Sequence, residues 1–246
     1  MYRWAFLCVA ASLCSAQSEK PKALFPVITA VVNGASFQPG IVSGSWATIL
    51  GTDLATTTRS WTDADFYLGQ LPTALSYTGV IVGGVPAYVA YISATQINFL
   101  VPDSAALGNV TVLVTEEFNS SNVFTTTKLA LSPALFTVAA HNADGTLVTT
   151  ANPAHPGEVV QLFGTGFGPS NPIIPTGTLF STPAPVAGAI TATLGGQAAQ
   201  VAGYLIYPGV YQLNVTIPDL PAGDAAVEIK MGSNSTQTGL SLPIGK

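Results

Sequence analysis

The 246-residue chain sets 7 Lys and Arg against 12 Asp and Glu, so charged residues make up 8% of it and its formal net charge is −5, where soluble domains ordinarily carry about 25% charged residues. An apolar content of 48% excludes intrinsic disorder, and the acidic balance without a basic cluster argues against a nucleic-acid partner. The 23 Val, 13 Ile and 28 Thr, interrupted by 24 Gly and 18 Pro, favour short strands joined by turns over helices.

Residues 1–16 read as a secretory signal peptide: Met1-Tyr2-Arg3, an apolar run from Trp4 to Leu13, then Cys14-Ser15-Ala16, with cleavage predicted after Ala16. The run is well short of the ~20 residues of a bilayer span. Residues 17–24 form an N-terminal linker. Cys8 and Cys14 both fall inside the signal segment, so the exported chain has no disulfide, thiolate nucleophile or Cys-ligated metal. The expected location is extracellular or the cell envelope, with no membrane span after cleavage.

Beyond Gln17 the sequence repeats with a period of about 113 residues. Ile49-Leu50-Gly51-Thr52-Asp53-Leu54 matches Leu162-Phe163-Gly164-Thr165-Gly166-Phe167, Val82-Gly83-Gly84-Val85 matches Leu194-Gly195-Gly196-Gln197, and Gln96-Ile97-Asn98-Phe99 matches Gln212-Leu213-Asn214-Val215. The offset grows by about four residues before the last match, which predicts a longer connection around Tyr204 to Val210. Gly83-Gly84 and Gly195-Gly196 predict tight two-residue hairpins, because each pair supplies the positive φ angles those turns need. After the first hairpin, Val85, Ala87, Val89 and Tyr91 are expected on one face and Pro86, Tyr88 and Ala90 on the other. Ile97 and Phe99 alternate with Gln96 and Asn98 as in a half-buried antiparallel strand. Val110, Val112 and Val114, and in the second copy Ala225, Val227 and Ile229, alternate in the same way. Pro102 and Pro218 end strands at equivalent places.

A unit of this size with some seven short strands fits an immunoglobulin-like sandwich. The expected fold is all-β, with two tandem immunoglobulin-like domains at 25–133 and 134–246 joined near Ser132-Pro133-Ala134. So short a junction predicts domains that touch rather than swing.

Gly51-Thr52-Asp53-Leu54 and Gly164-Thr165-Gly166-Phe167-Gly168-Pro169 resemble the glycine-turn-aromatic signature of IPT/TIG-type immunoglobulin-like domains. Val32-Asn33-Gly34-Ala35-Ser36-Phe37, Gly83 to Val89, Ser93 to Asn98, Pro133-Ala134-Leu135-Phe136 and Tyr211 to Val215 resemble the Solibacter-type C-terminal domain family of secreted acidobacterial proteins. That resemblance spans almost all of the exported chain. It implies a secreted, β-rich protein and supplies no catalytic residues.

His141 and His155 are the only imidazoles. Each sits in turn-forming sequence, and no Gly-x-Ser-x-Gly elbow or His-Glu-x-x-His helix accompanies them. A triad assembled from His141, Asp144 and a serine is the hydrolase alternative, set against Asp144-Gly145 as an ordinary turn. Gly164-x-Gly166-x-Gly168 lacks the helix a phosphate-binding loop requires, since Pro169, Pro172 and Pro175 follow. Asp53, Asp63 and Asp65 are candidate Ca²⁺ ligands, although one Asp-x-Asp lacks the full ligand pattern. Glu116-Glu117 and Asp63/Asp65 are nominal glycosidase pairs, expected as exposed, solvated acids.

The connection Thr56 to Tyr67 is the most distinctive segment outside the strands. Trp61 and Tyr67, with Arg59 and Asp63, are candidate ligand-binding residues: rings for stacking on a pyranose and polar groups for its hydroxyls. The competing expectation is that Trp61 folds down as a plug at one end of the sandwich. Tyr204, Tyr207 and Tyr211 form a second aromatic cluster. These observations predict a non-catalytic structural or interaction module without a cofactor, its partner an unknown protein or glycan at the cell surface. The alternative is a carbohydrate-binding module built on the Trp61/Tyr67 loop.

Overall fold

Strands of alternating burial account for about half of the described residues. A computed structural model describes residues 25–103 and 106–246. The expected signal peptide, both cysteines and the 17–24 linker lie outside the described residues. In the first half one sheet has the order Val27–Asn33, Trp46–Thr52, Gln96–Leu100, Tyr88–Ile92, Arg59–Ser60. The facing sheet runs Ile41–Val42, Phe124–Leu129, Gly108–Glu116, Thr78–Val82, Ala74–Leu75. The first stretch of chain therefore serves both sheets. Val27–Asn33 pairs antiparallel with Trp46–Thr52, and after Asn33 the chain crosses over so that a separate short strand, Ile41–Val42, pairs parallel with Lys128 and Leu129.

The second half repeats this order with Ala134–His141, Val159–Thr165, Val210–Thr216, Val201–Tyr207 and Ala184–Pro185 in one sheet. The other is built on Ile190–Leu194 and Gly223–Met231, flanked by Gln197–Ala199 and Ser241–Ile244. Its parallel closure shrinks to a single bridge, Ala154 to Ile244. The chain is thus all-β, two immunoglobulin-like sandwiches in tandem. Among the described residues the helical segment is one short 3-10 turn, Asp63–Asp65. Each half buries its own cluster, around Ile49, Phe99 and Val112 in the first and Phe167, Leu213 and Ile229 in the second. Each fully buried side chain of this kind stabilises by about 1.5–3 kcal/mol.

The repeated motif has a steric cause. A Cβ on Gly51 would stand 2.0 Å from the Val27 carbonyl oxygen, and one on Gly164 would stand 2.4 Å from that of Ala134. Only glycine lets the neighbouring strand lie so close. Two residues on, Asp53 (φ 53°) and Gly166 (φ 81°) take the left-handed turn that drops Leu54 and Phe167 into the cores, both 0% exposed. The two Gly-Gly hairpins form as expected, with φ of 57° and 86° at Gly83 and Gly84 and 55° and 82° at Gly195 and Gly196.

Two expectations need correction. Tyr91 does not share a face with Val89: the register slips between Val89 and Tyr91, and Ile92 rather than Tyr91 is buried. An extra residue in one strand of an antiparallel pair flips every side chain beyond it. Second, the residues from Tyr204 to Val210 are not a longer loop. They lengthen both arms of a hairpin, from five residues each in Tyr88–Ile92 and Gln96–Leu100 to seven each in Val201–Tyr207 and Val210–Thr216.

Candidate functional site

The tip of that long hairpin docks on the first half. Trp46 N donates to Thr165 Oγ1 at 2.9 Å, and Thr165 Oγ1 donates onward to the Gly209 carbonyl at 2.8 Å. Gly209 lies so near that a Cβ there would be 2.3 Å from Leu100 Cδ1 and 2.9 Å from Trp46 Nε1. On the other flank Leu71 N donates to Gly177 O at 2.8 Å and Leu179 N to Gly69 O at 2.7 Å. Asn33 Nδ2 reaches Ser132 O at 3.0 Å, which ties down the junction itself. Hydrogen bonds on several sides hold the halves against each other, as the short junction predicts.

The Thr56–Tyr67 connection is fastened to the edge of the first sheet. Arg59 and Ser60 pair with Ile92 and Tyr91, and Trp61 N donates to Ala90 O at 2.9 Å. Asp65 caps the 3-10 turn, accepting from Thr62 N at 2.7 Å and Thr62 Oγ1 at 3.1 Å, and pairs with Arg59 Nη2. The Thr62 backbone N–H, then Arg59, holds the Asp65 carboxyl below the usual carboxylate range. Trp61 folds down between Trp46 (centroids 5.5 Å apart, 71° between planes) and Phe66 (5.4 Å, 81°), both edge-to-face, and packs on the first core. It also lines a groove of about 250 Å³ together with Trp46, Thr48, Asn98, Phe136 and Val210.

That groove gathers apolar rings and neutral polar groups. Thr48 and Asn98 face each other across neighbouring strands. Thr48 Oγ1 donates to Asn98 Oδ1 at 3.0 Å, and Gln96 Nε2 donates to the same oxygen at 2.8 Å. With its carbonyl oxygen doubly engaged, Asn98 has its amino group left to offer a ligand.

Of the residues expected at the site, only Trp61 lines the groove. Arg59 is taken up by Asp65. Tyr67 is 77% exposed in a separate turn closed by Gln70, and Asp63 lies on the exposed side of the 3-10 turn. Asp63 is near Tyr207, whose hydroxyl is pushed above its ordinary value by burial and then by that carboxylate. The proposed Tyr67 half of a platform is therefore replaced by Trp46. Strand alternation does place Asn98 on the outer face, but Phe136 and Val210 come from the other half and carry no local signal. In the second aromatic cluster, Tyr211 is 3% exposed, packs on Phe167 at 5.5 Å and donates to the Gly168 carbonyl. Its burial raises the hydroxyl far above the ordinary tyrosine value. This is core packing.

The other candidates resolve into structural roles. His141 Nδ1 lies 3.0 Å from Glu158 Oε1 and Nε2 lies 3.2 Å from Asn152 O, so neither ring nitrogen serves Asp144. Asp144 instead accepts from Thr146 N at 2.9 Å and Oγ1 at 2.8 Å, which lowers its pKa and makes the turn. His155 Nδ1 sits 2.9 Å from Lys246 O. The expectation that Glu116 and Glu117 are both solvated is overturned for Glu116. It is 6% exposed and accepts from Thr56 N at 3.0 Å, Thr56 Oγ1 at 2.7 Å and Thr78 Oγ1 at 2.7 Å. Charge-assisted bonds of this kind make burial of the carboxylate tolerable. Asp53, Asp63 and Asp65 are not gathered into a metal site: among the described residues no three His, Cys, Asp or Glu side chains cluster. No helix among the described residues is long and apolar enough to cross a membrane.

No protein-family model and no curated protein matches the chain. Among solved structures it is similar to the Bacteroides ovatus mixed-linkage glucan utilization locus protein SGBP-B in complex with a mixed-linkage heptasaccharide, at 14% identity and TM-score 0.35, over 84% of this chain and 43% of that one. A surface glycan-binding protein from Prevotella bryantii aligns at 11% identity and TM-score 0.29, over 88% and 42%. Domains 5-6 of the S-layer protein SbsC align at 11% identity and TM-score 0.28, over 89% and 98%. The chain thus spans less than half the length of either glycan-binding structure, and similarity at this level carries nothing about what it binds.

Proposed function

We propose that this chain is an exported, non-catalytic tandem immunoglobulin-like protein that serves as a structural or interaction module at the cell surface, and that its motifs place it with the Solibacter-type C-terminal domain family. The reading is supported by how the titratable side chains are used: Glu116, Asp65, Asp144, His141 and His155 each hold a turn, a loop or a chain end in place. A second reading, binding of a neutral carbohydrate, is favoured by one observation. Trp61 and Trp46 share a groove with the Thr48 hydroxyl and the Asn98 amide, and among the described residues no charged side chain lines it. Aromatic edges with neutral donors and acceptors suit uncharged hydroxyl-bearing ligands.

Panning the purified chain against insoluble polysaccharides and a glycan array, beside Trp61→Ala and Asn98→Ala, tests the second reading. Retention on a neutral glycan that both variants lose supports it. Silence on every glycan removes it and leaves the protein-interaction reading. Turnover in generic esterase or glycosidase screens would overturn both.

A further inference from the structure

The sequence holds four Asn-x-Ser/Thr triplets, at Asn109, Asn119, Asn214 and Asn234. In an exported chain such a triplet accepts an N-linked saccharide where it stands on an accessible turn. The fold separates the four. Asn214 lies in the inner strand Val210–Thr216, paired on both sides, and its Oδ1 accepts from Gln212 Nε2 at 2.8 Å. Asn109 lies in Gly108–Glu116, where Asn109 and Thr111 pair with Thr127 and Thr125, and Val110 between them is buried. The other two occupy equivalent hairpin turns, Glu117-Phe118-Asn119-Ser120-Ser121 after the central strand of the first half and Gly232-Ser233-Asn234-Ser235-Thr236 after that of the second. The hydroxyl that closes each triplet is held alike: Ser121 Oγ accepts from Val114 N at 3.0 Å, and Thr236 Oγ1 accepts from Ile229 N at 3.1 Å.

Two differences single out Asn119. Asn234 Nδ2 turns back to Met231 O at 3.5 Å, whereas among the described residues no hydrogen bond engages the Asn119 side chain, so its amide nitrogen is available to react. The first turn also carries features that turning the chain does not need. Glu117 takes φ 49°, a left-handed conformation that the second half gives to Gly232 at φ 59°, and a side chain there is strained. Phe118 stands 94% exposed, and Tyr77, at φ 66° in the adjoining turn, 79%. Glu117 N donates to Tyr77 O at 3.2 Å and joins the two turns. Strain that persists on a braced support points to use. A carboxylate two residues before the asparagine and a ring one residue before it give a modifying enzyme a charge and an apolar surface to hold.

We propose that Asn119 is a site of N-linked saccharide attachment, with Glu117 as the charge by which the transferase recognises it. The co-substrate is a saccharide carried on a polyprenyl diphosphate. Asn119 Nδ2 bonds to the anomeric carbon, the carbon–oxygen bond to the diphosphate breaks, and the diphosphate leaves with that electron pair. The proton lost by the amide nitrogen passes to a carboxylate base of the transferase. Once attached, the first sugar lies beside Phe118 and Tyr77, and its C–H face shields rings that otherwise stand in water. The proposal rests on the export reading and does not involve the Trp61 groove.

The full chain and the variants Asn119→Gln, Glu117→Gln and Asn234→Gln, expressed in the native cells and separated into cytoplasmic and exported fractions, are read by intact-mass and peptide mass spectrometry. Each substitution lies in a surface turn, and unchanged melting curves verify folding. The exported wild type is expected to carry a saccharide on Asn119. Asn119→Gln should lose it and Asn234→Gln should keep it. Glu117→Gln should lower occupancy about tenfold or more, as loss of one charge-assisted hydrogen bond does. An exported wild type with Asn119 unmodified, or full occupancy in Glu117→Gln, overturns the proposal and leaves export standing. A chain found only in the cytoplasm overturns the export reading, and the proposal with it.

Discussion

The two halves share a strand order, a glycine motif and a Gly-Gly hairpin, yet they end differently at equivalent places. At the last inward position of the central strand the first half has Glu116 and the second has Met231, 6% and 3% exposed. Just beyond, the first half turns through Glu117-Phe118 and the second through Gly232-Ser233, with Gly232 at φ 59°. The second half thus follows the relaxed solution, an apolar end to the core and a glycine turn. The first buries a carboxylate, supplies it with three donors, and holds aromatic side chains in solvent on strained backbone. One topology tolerates both ends, and the first half's version needs a prepared donor set and left-handed backbone that the second half does without.

Exchanging the two strand ends should change stability the most. Met231→Glu buries a carboxylate with no prepared donors and is expected to cost about 3–5 kcal/mol. Glu116→Met strands the Thr56 and Thr78 donors and is expected to cost less, about 2–4 kcal/mol. Urea unfolding of each variant reads both, and a Glu116→Met chain as stable as wild type would mean that the Glu116 network contributes nothing specific. The turns should respond with opposite signs. Glu117→Gly relieves left-handed strain and should stabilise by about 1 kcal/mol, whereas Gly232→Ala should destabilise by a similar amount. A pH titration gives the smallest effect. The Asp65 carboxyl is depressed in the folded chain, so its contribution is present above the ordinary carboxylate range and is lost as pH falls through its lowered value. Melting temperature should fall slightly on acidification, and Arg59→Ala should reduce that slope. The carboxylate is near solvent, so screening keeps the effect small.

The groove shows how far local pattern reaches. Trp61 is conspicuous in sequence because it stands among Thr, Ser and Asp, and Asn98 is legible from strand alternation. Tyr67 has the same composition signal as Trp61 and yet lies outside the groove, since one turn, Tyr67 to Gln70, carries it away. The bulge between Val89 and Tyr91 is likewise silent, because no glycine or proline marks it. The burial of Glu116 could not be read from a Glu-Glu pair, as its donors come from Thr56 and Thr78, far along the chain.

That this protein is β throughout, that one unit occurs twice, and where its Gly-Gly hairpins fall are all legible in the residues themselves. Each of those depends on interactions within a strand or a turn: period-two alternation and positive φ at Gly-Gly. Long-range packing settled that a hairpin lengthened by two residues per arm would lock the halves together and complete a groove with Phe136 and Val210. It also decided that Phe118 would stand free while Trp61 folds inward. Contacts such as Trp46 N to Thr165 Oγ1 join residues more than a hundred positions apart, and the energy that selects them comes from packing and hydrogen bonding that no local window contains.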